Sequence, residues 1–483
     1  MKRLVCSVLT AVAMIAAPMV QAENVSVDQA KDAAAHYLQH NTTFSRITAE
    51  QLTLSYQWNN ETLGIPSMYL FTAPTQGWII MAATTVIHPV VAYTDEEVFD
   101  GRMAPAQEAW LNDYNEMVCE YQNFDNEKGL DDSPEWKMLS SHSLKGSKAS
   151  VYLLKTRWDQ GGSSGTDYNI FSPVIDGSVA PTGCVATALA QICYYYKFPV
   201  KPKGTVVYYN SRDNNARMAI NFDTVPSLDY SIMPLEVKVS TTQERREQVS
   251  RLAFYVGMSV KMQFGSELSG STDVNARSGM RNNMKYTLGT IVSRRSSGND
   301  TSFIGTVRRD LLRNRPLYMS GSSDGTGEHA SGHAWVCDGY NDNDTSVYHM
   351  NWGWGGVGNA FYNLVTNNLT ISGQGYNFRL NQSVITNMIP PADSTDVPIV
   401  GVDEVEDNTL LGSPYPNPAT LSVTLPYSTL DAAELQVYSV SGRLVESRRV
   451  EAGDGAVTLR VDALPAGVYV YRMGDAYGKF VVR

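Results

Sequence analysis

Hydrophobic spacing along the chain predicts a small set of elements. Val249, Leu252, Ala253, Val256 and Val260 fall on one stripe, which predicts a helix over Glu244–Val260. Val185, Leu189, Ile192 and Tyr196 recur at i, i+4, i+7 and i+11. That second helix has Thr182 as its candidate N-cap and stops at Lys197-Phe198-Pro199. Helical spacing also marks Val27–His40 and Gln107–Tyr121, the latter through Trp110, Tyr114 and Val118. Gly77–Ala82 and Pro89–Tyr93 are strand-like runs. "SGHAWVCDGY", Ser331–Tyr340, predicts another strand, with His333, Trp335 and Cys337 on one face at period 2.

Between these runs lie two stretches without periodicity. Asn123–Ser150 mixes charge with Ser, Gly and Pro, which predicts an exposed linker, and Pro390–Asn408 predicts a second one. Beyond it, Leu410–Arg483 alternates strand-like runs with turns, including a hairpin bent near Ser441-Gly442, which predicts an all-β module. At the other end, Lys2 and Arg3 precede an apolar run from Leu4 to about Ala17, followed by Val20-Gln21-Ala22. This is a signal-peptide pattern, shorter than a membrane span needs. The expected organisation is a signal peptide at 1–22, a first unit with its linker at 23–148, a central unit at 149–389, a linker at 390–409 and the β module at 410–483.

Composition narrows the function. The chain has 38 basic and 49 acidic residues, a net charge of −11, and no long basic run, so a nucleic-acid partner is not expected. Without Cys6 of the signal peptide, Cys119, Cys184, Cys193 and Cys337 remain. Cys184 and Cys193 would stand about 13 Å apart along one helix, beyond disulfide reach. Cys193 and Cys337 are either two small core residues or a disulfide.

The distinctive chemistry gathers in the central unit. Cys184 follows Gly183 in the first turn of its helix, near the positive end of the helix dipole, which favours a thiolate. A buried small residue would give the same local pattern. A thiolate nucleophile needs an imidazole, and after residue 150 only His329, His333 and His349 are available. His333 follows Cys184 by 149 residues, and Asn351 lies beyond it in "YHMNWGWGG". This order and spacing resemble papain-type peptidases. Two rival patterns fail. His329, His333 and Cys337 would form a metal face only on a helix, and the surrounding glycines argue against one. Gly353, Gly355 and Gly358 match a dinucleotide fingerprint without its strand–helix context. No metal or cofactor is therefore expected.

At these residues the chain resembles the streptopain family of bacterial cysteine peptidases. "PTGCVATALAQICYYYKFP" is similar to the family's nucleophile helix, "GHAWVCDGY" to its histidine strand and "YHMNWGWGGVGNAFYNL" to its Asn-Trp block. "TRWDQGGSSGTDYN" resembles the segment carrying the oxyanion-hole glutamine, here Gln160, and "GWIIMAATTVIHPVVAYTDE" resembles part of an inhibitory propeptide. The resemblance implies an α+β, papain-like peptidase domain preceded by an α+β propeptide. It implies Cys184 as nucleophile, His333 as base, Asn351 as its orienter, Gln160 in the oxyanion hole and Trp352 packed over the Asn–His pair. Protein or peptide substrates would be cleaved, with the chain's own propeptide as inhibitor. Gly- and Ser-rich Ser320–Gly332 reads as a flap beside His333.

"SPYPNPA", "VYSVSGRLV" and "LPAGVYVYRM" resemble the type IX secretion sorting domain of Bacteroidetes, an immunoglobulin-like sandwich. That resemblance implies the type IX secretion machinery as a partner, and a released or surface-attached product. Two other classes use the same residues: a peptidase-like adhesin without activity, and an acyltransferase or amidase with the same triad.

Overall fold

The computed structural model describes residues 24–483 except 129, 131, 145–149, 162–166, 295–300, 323–331, 365–381, 392–408, 412–413, 415–416, 430–431, 440–442, 452 and 474–475. The signal-peptide pattern, His329, most of the expected flap and most of the second linker lie outside these residues. The chain forms two compact units, one of residues 1–101 and 111–149, the other of residues 102–110 and 150–483.

The first unit is a four-stranded antiparallel meander, Thr53–Asn60, Ile65–Thr72, Trp78–Ala82 and Val90–Thr94, in sequential order. Helix α1, Val27–Asn41, starts at a capping box in which Ser26 and Gln29 satisfy each other's backbone N–H. Its small face (Ala30, Ala33, Ala34) and Leu38 are buried. Helix α2, Pro105–Lys128, is divided between the units, and its later part is pinned to the meander. There Gln122 Nε2 donates to the Pro66 carbonyl at 2.8 Å and Asn60 Nδ2 donates to the Cys119 carbonyl at 3.2 Å.

The stretch expected to be an irregular linker is partly helical. α2 continues through Asn123–Lys128, and α3 covers Pro134–Ser140. Ser133 caps α3 by accepting from the Trp136 N–H, Pro134 opens it, and Trp136 and Leu139 are buried one turn apart. That single turn of spacing is too short for the periodicity of a fourteen-residue window to reveal.

The second unit is built on α4, Cys184–Tyr196, which packs against an antiparallel sheet. In spatial order the strands are Ala360–Asn363, Val347–Asn351, Gly332–Asn341, Leu317–Ser322, Ser383–Ile385 and Ile291–Ser293. Val185, Leu189 and Ile192 share a core with Ala334 and Val336 of the histidine strand, Gly332–Asn341. Helix α5, Gln243–Ser259, buries the predicted stripe in the same core, and α6 (Asp273–Asn282) and α7 (Thr301–Leu312) complete the helices. Cys193 and Cys337 are free. Cys193 belongs to the α4 core, whereas Cys337 shares the opposite strand face with His333, so the two do not form the disulfide considered above.

The C-terminal module is a sandwich of a three-stranded and a four-stranded antiparallel sheet. Its common core takes Val423, Leu425 and Leu459 from one sheet and Leu435, Tyr471 and Phe480 from the other. The expected hairpin is the pair Ala433–Ser439 and Leu444–Val450.

One buried hydrogen-bonded pair fixes where the second unit begins. Ser150–Tyr152 pairs with Gly339–Asn341 at the end of the histidine strand. Immediately after it, Asp338 accepts from the Leu154 N–H through one carboxylate oxygen at 2.7 Å and meets His349 Nδ1 through the other at 2.6 Å. Tyr152 stacks on His349 at 4.3 Å. Asp338→Asn puts an amide N–H where one of two accepting oxygens stood and leaves a buried donor unmet, so the second unit is expected to lose about 1–3 kcal/mol. The measurement is the urea midpoint; an unchanged midpoint would mean that the pair is not anchoring this strand.

Candidate active site

The site is built where α4 begins. Gly183, not Thr182, is the N-cap residue. It has φ 85° and ψ 147°, a backbone region essentially reserved for glycine. A Cβ there would stand 2.8 Å from both Met262 Sδ and the Ser269 carbonyl. Thr182, freed from capping, donates twice to the Gln160 carbonyl, from its N–H at 2.7 Å and its hydroxyl at 3.0 Å. Asp159 accepts from the Gln160 N–H at 2.6 Å. These bonds set Gln160 two residues from the turn that presents Cys184. The Gln160 side chain is half-buried and makes no hydrogen bond among the described residues.

The Cys184 sulfur faces the backbone N–H of Ala334, the residue after His333. Thiol and imidazole are thus brought to neighbouring positions on the seam between α4 and the histidine strand, but they are not hydrogen-bonded to each other. His333 Nε2 donates to the Trp352 carbonyl at 2.8 Å. Burial pushes the Cys184 thiol up, against the low value expected from the helix dipole, with the nearby Asp273 carboxylate adding to the rise. Burial pushes His333 down to about 4, partly offset by its bond to the Trp352 carbonyl. Both groups are neutral around pH 7 in this arrangement.

Asn351 is near the site but does not touch His333. In the strand register Asn351 stands opposite Val336, three residues from His333, or about 10 Å along the strand. Its amide is used elsewhere: Nδ2 donates to the Thr156 carbonyl at 2.8 Å, and Oδ1 accepts from Gln191 Nε2 at 3.1 Å and the Gly353 N–H at 3.2 Å. Gln191 escaped the sequence reading, although a glutamine two turns after Cys184 on an apolar helix was the available signal. Trp352 is 2% exposed, with its ring 6.4 Å from His333 and 5.1 Å from Trp335. Gly353, Gly355, Gly356 and Gly358 all have positive φ and form a turn, not a nucleotide loop.

A second group flanks the thiol. Asp273, at the start of α6, accepts from Tyr318 at 3.1 Å, from Ser320 at 2.8 Å and from Ser383. Ser320 stands opposite Ala334 in the register, so this hydroxyl-lined carboxylate is one strand away from the sulfur. Nothing in the sequence pattern linked these four residues, because they come from three separate elements. On the other side, Trp110 meets Tyr362 edge-on at 5.0 Å, and Tyr362 meets Trp352 at 5.3 Å. An aromatic chain therefore runs from Trp110 to the ring beside His333.

Comparison with known proteins agrees with this geometry. Residues 158–362 match the Peptidase C10 family, residues 22–118 the Spi protease inhibitor, and residues 413–483 the secretion system C-terminal sorting domain. The central domain is a streptopain-family cysteine peptidase domain. The chain is 26% identical to streptopain of Streptococcus pyogenes over 365 residues, covering 72% of this chain and 86% of that protein. It is 28% identical over 396 residues to the thiol protease/hemagglutinin PrtT of Porphyromonas gingivalis, covering 79% of this chain but only 43% of PrtT. The prointerpain A fragment of Prevotella intermedia shares the fold, with a TM-score of 0.52 at 22% identity, over 69% of this chain and 97% of the fragment. The streptopain-family domain is thus preceded by an inhibitor-type domain and followed by a sorting domain, in the order expected from the sequence.

Gly183→Ala tests the turn that presents the thiol. Forcing alanine into this conformation costs about 1–3 kcal/mol, and the added methyl strikes Met262 and Ser269. The variant is expected to melt several degrees lower and to label more slowly at Cys184 with iodoacetamide. Wild-type melting and labelling would show that the turn has another way to form.

Proposed function

We propose that this protein is a secreted cysteine endopeptidase made as a zymogen. The observation that carries the reading is the seam at the start of α4: the Cys184 sulfur faces the Ala334 N–H one residue from His333, while Thr182 holds Gln160 beside the same turn. His333 takes the thiol proton at Nδ1, the nitrogen left unprotonated while Nε2–H donates to the Trp352 carbonyl, giving a thiolate–imidazolium pair. The thiolate attacks the scissile carbonyl carbon. The oxyanion is held by the Gln160 amide and the Cys184 N–H; losing one such donor typically costs about 3–4 kcal/mol. His333 then protonates the departing amine, and water hydrolyses the thioester with His333 as base. Asn351 acts as a positioning residue, holding Gly353 and the loop that carries Trp352 through its locked amide.

Residues 23–148 act as the tethered inhibitor, which a covalent link keeps at high effective concentration. Cleavage within Asn123–Ser150 releases it. The paired strand beginning at Ser150 supports a stop there, because backbone already engaged in a sheet is a poor protease substrate. The signal-peptide pattern and the C-terminal sorting domain support export, then passage through the outer membrane by type IX secretion. Proteins are the substrates.

Casein hydrolysis under reducing conditions tests the chemistry. Cys184→Ala is expected to fall to background and Gln160→Ala by about 10²–10³-fold in kcat. Full activity in Cys184→Ala would move the nucleophile elsewhere. Self-processing is tested separately: wild type shortens to a product whose first residue lies at or before Ser150. Purified Cys184→Ala stays intact until wild-type enzyme is added. Shortening of the mutant alone would exclude self-cleavage by Cys184.

A further inference from the structure

Three histidines meet in the first unit, away from the active site. His36 and His40 are one turn apart on α1, and His142 follows α3. The His36 ring lies edge-on to His40 at 4.5 Å and to His142 at 4.7 Å. His36 is only 7% exposed, and its Nε2 has no hydrogen-bond partner. His40 Nδ1 donates to the His36 carbonyl at 2.9 Å, which fixes that ring's orientation. His142 Nε2 faces Asp32 of α1 at 3.1 Å, on the exposed side. His142 has φ 49°, a left-handed turn that aims its ring back at α1.

We propose that these three rings form a pH-sensitive latch holding α3 against α1, and that its protonation in mildly acidic surroundings frees α3 for cleavage. The proposal rests on the zymogen reading above. Neutral rings pack edge to face at favourable distances. Protonated, they become two or three cations within 5 Å, one of them buried with a nitrogen that no acceptor meets. α3 has few other anchors. Ser133 N–H donates to the Thr85 carbonyl at its start, Trp136 and Leu139 supply its apolar contact, and His142 closes its end.

The direction follows from proton linkage. Burial, then His40, then His142 hold the His36 pKa below the usual 6.5, with Asp32 opposing them. The opened segment therefore takes up the proton first. The latch is fully favoured above about pH 6.5 and weakens as pH falls through that value. The Asp32–His142 pair acts the other way, but it is more than half exposed on both sides and correspondingly weak. The meander strands and the turn at Ala49–Gln51, which also pack on α1, bring no charged group that acts on His36 among the described residues.

The test uses full-length Cys184→Ala, which does not process itself. Hydrogen exchange of residues 134–142, corrected for intrinsic rates, is compared at pH 7.5 and 5.5. Opening is expected to rise at the lower pH, because the opened segment takes up the proton first. In His36→Leu the rise is expected to vanish and in His142→Gln to shrink, since burial of His36 outweighs its neighbour. His142→Gln alters an exposed ring and serves if His36→Leu does not fold. A pH-independent parent, or variants that respond as the parent does, overturns the latch.

In a second arm, a fixed amount of processed wild-type protein trims each chain at both pH values. The variant-to-parent ratio cancels the enzyme's own pH dependence. It is expected near one at pH 7.5 and below one at pH 5.5; equal ratios overturn the link to activation. If wild-type protein trims nothing while exchange behaves as stated, the latch stands and the protease reading falls.

Discussion

The packing of α4 against the histidine strand is the constraint from which the site follows. Val185, Leu189 and Ile192 interlock with Ala334 and Val336, and each fully buried aliphatic side chain contributes about 1.5–3 kcal/mol. That seam fixes the rotation of α4, and the rotation fixes where Cys184 emerges. The glycine before it turns the chain sharply enough for Thr182 to reach the Gln160 carbonyl. Cys184 and Gln160 are thus positioned by one apolar contact and one backbone conformation, neither of which involves the thiol or the Gln160 amide.

The chemistry on that scaffold is held in an inactive protonation state. An isolated thiol in a crowded, uncharged setting stays protonated, and an imidazole in the same setting stays neutral. Each would be shifted towards its charged form by the other, as in any strongly coupled pair, but only at contact. The Trp352 carbonyl accepts from His333 Nε2, which leaves Nδ1 as the unprotonated nitrogen of the neutral ring. Burial, and not the bond to the Trp352 carbonyl, keeps the imidazole neutral, since that bond favours its charged form.

Much of the fold was legible in the sequence where apolar spacing ran for several turns or strand alternations, as in α1, α4, α5 and the histidine strand. The first two strands of the meander were missed, because polar residues fill Thr53–Asn60 and a proline opens the next strand. The site was legible as residue types in order: Cys184, His333 and Gln160 all border the seam. What failed were statements about mutual contact. The helix dipole argued for a lowered thiol pKa, but tertiary crowding outweighs it. Asn351 was expected to touch His333, and its register opposite Val336 turns it towards α4 and Gln191 instead. Register depends on the pairing of distant strands and is not carried by either strand alone.

The aromatic chain ending at Trp110 has a consequence for what removal of the first segment means. Trp110 comes from the stretch that matches the inhibitor domain, yet it groups with the second unit and its ring closes over Tyr362. Loss of the stretch matching the inhibitor domain would take from the second unit one of its own buried rings. An edge-to-face ring pair is worth about 0.5–1.5 kcal/mol beyond the area it buries. Tyr362 must then be hydrated or repacked, and the disturbance lies two rings from His333. Removing that ring would therefore be a remodelling of the core, with the His333 imidazole at the end of the same aromatic row.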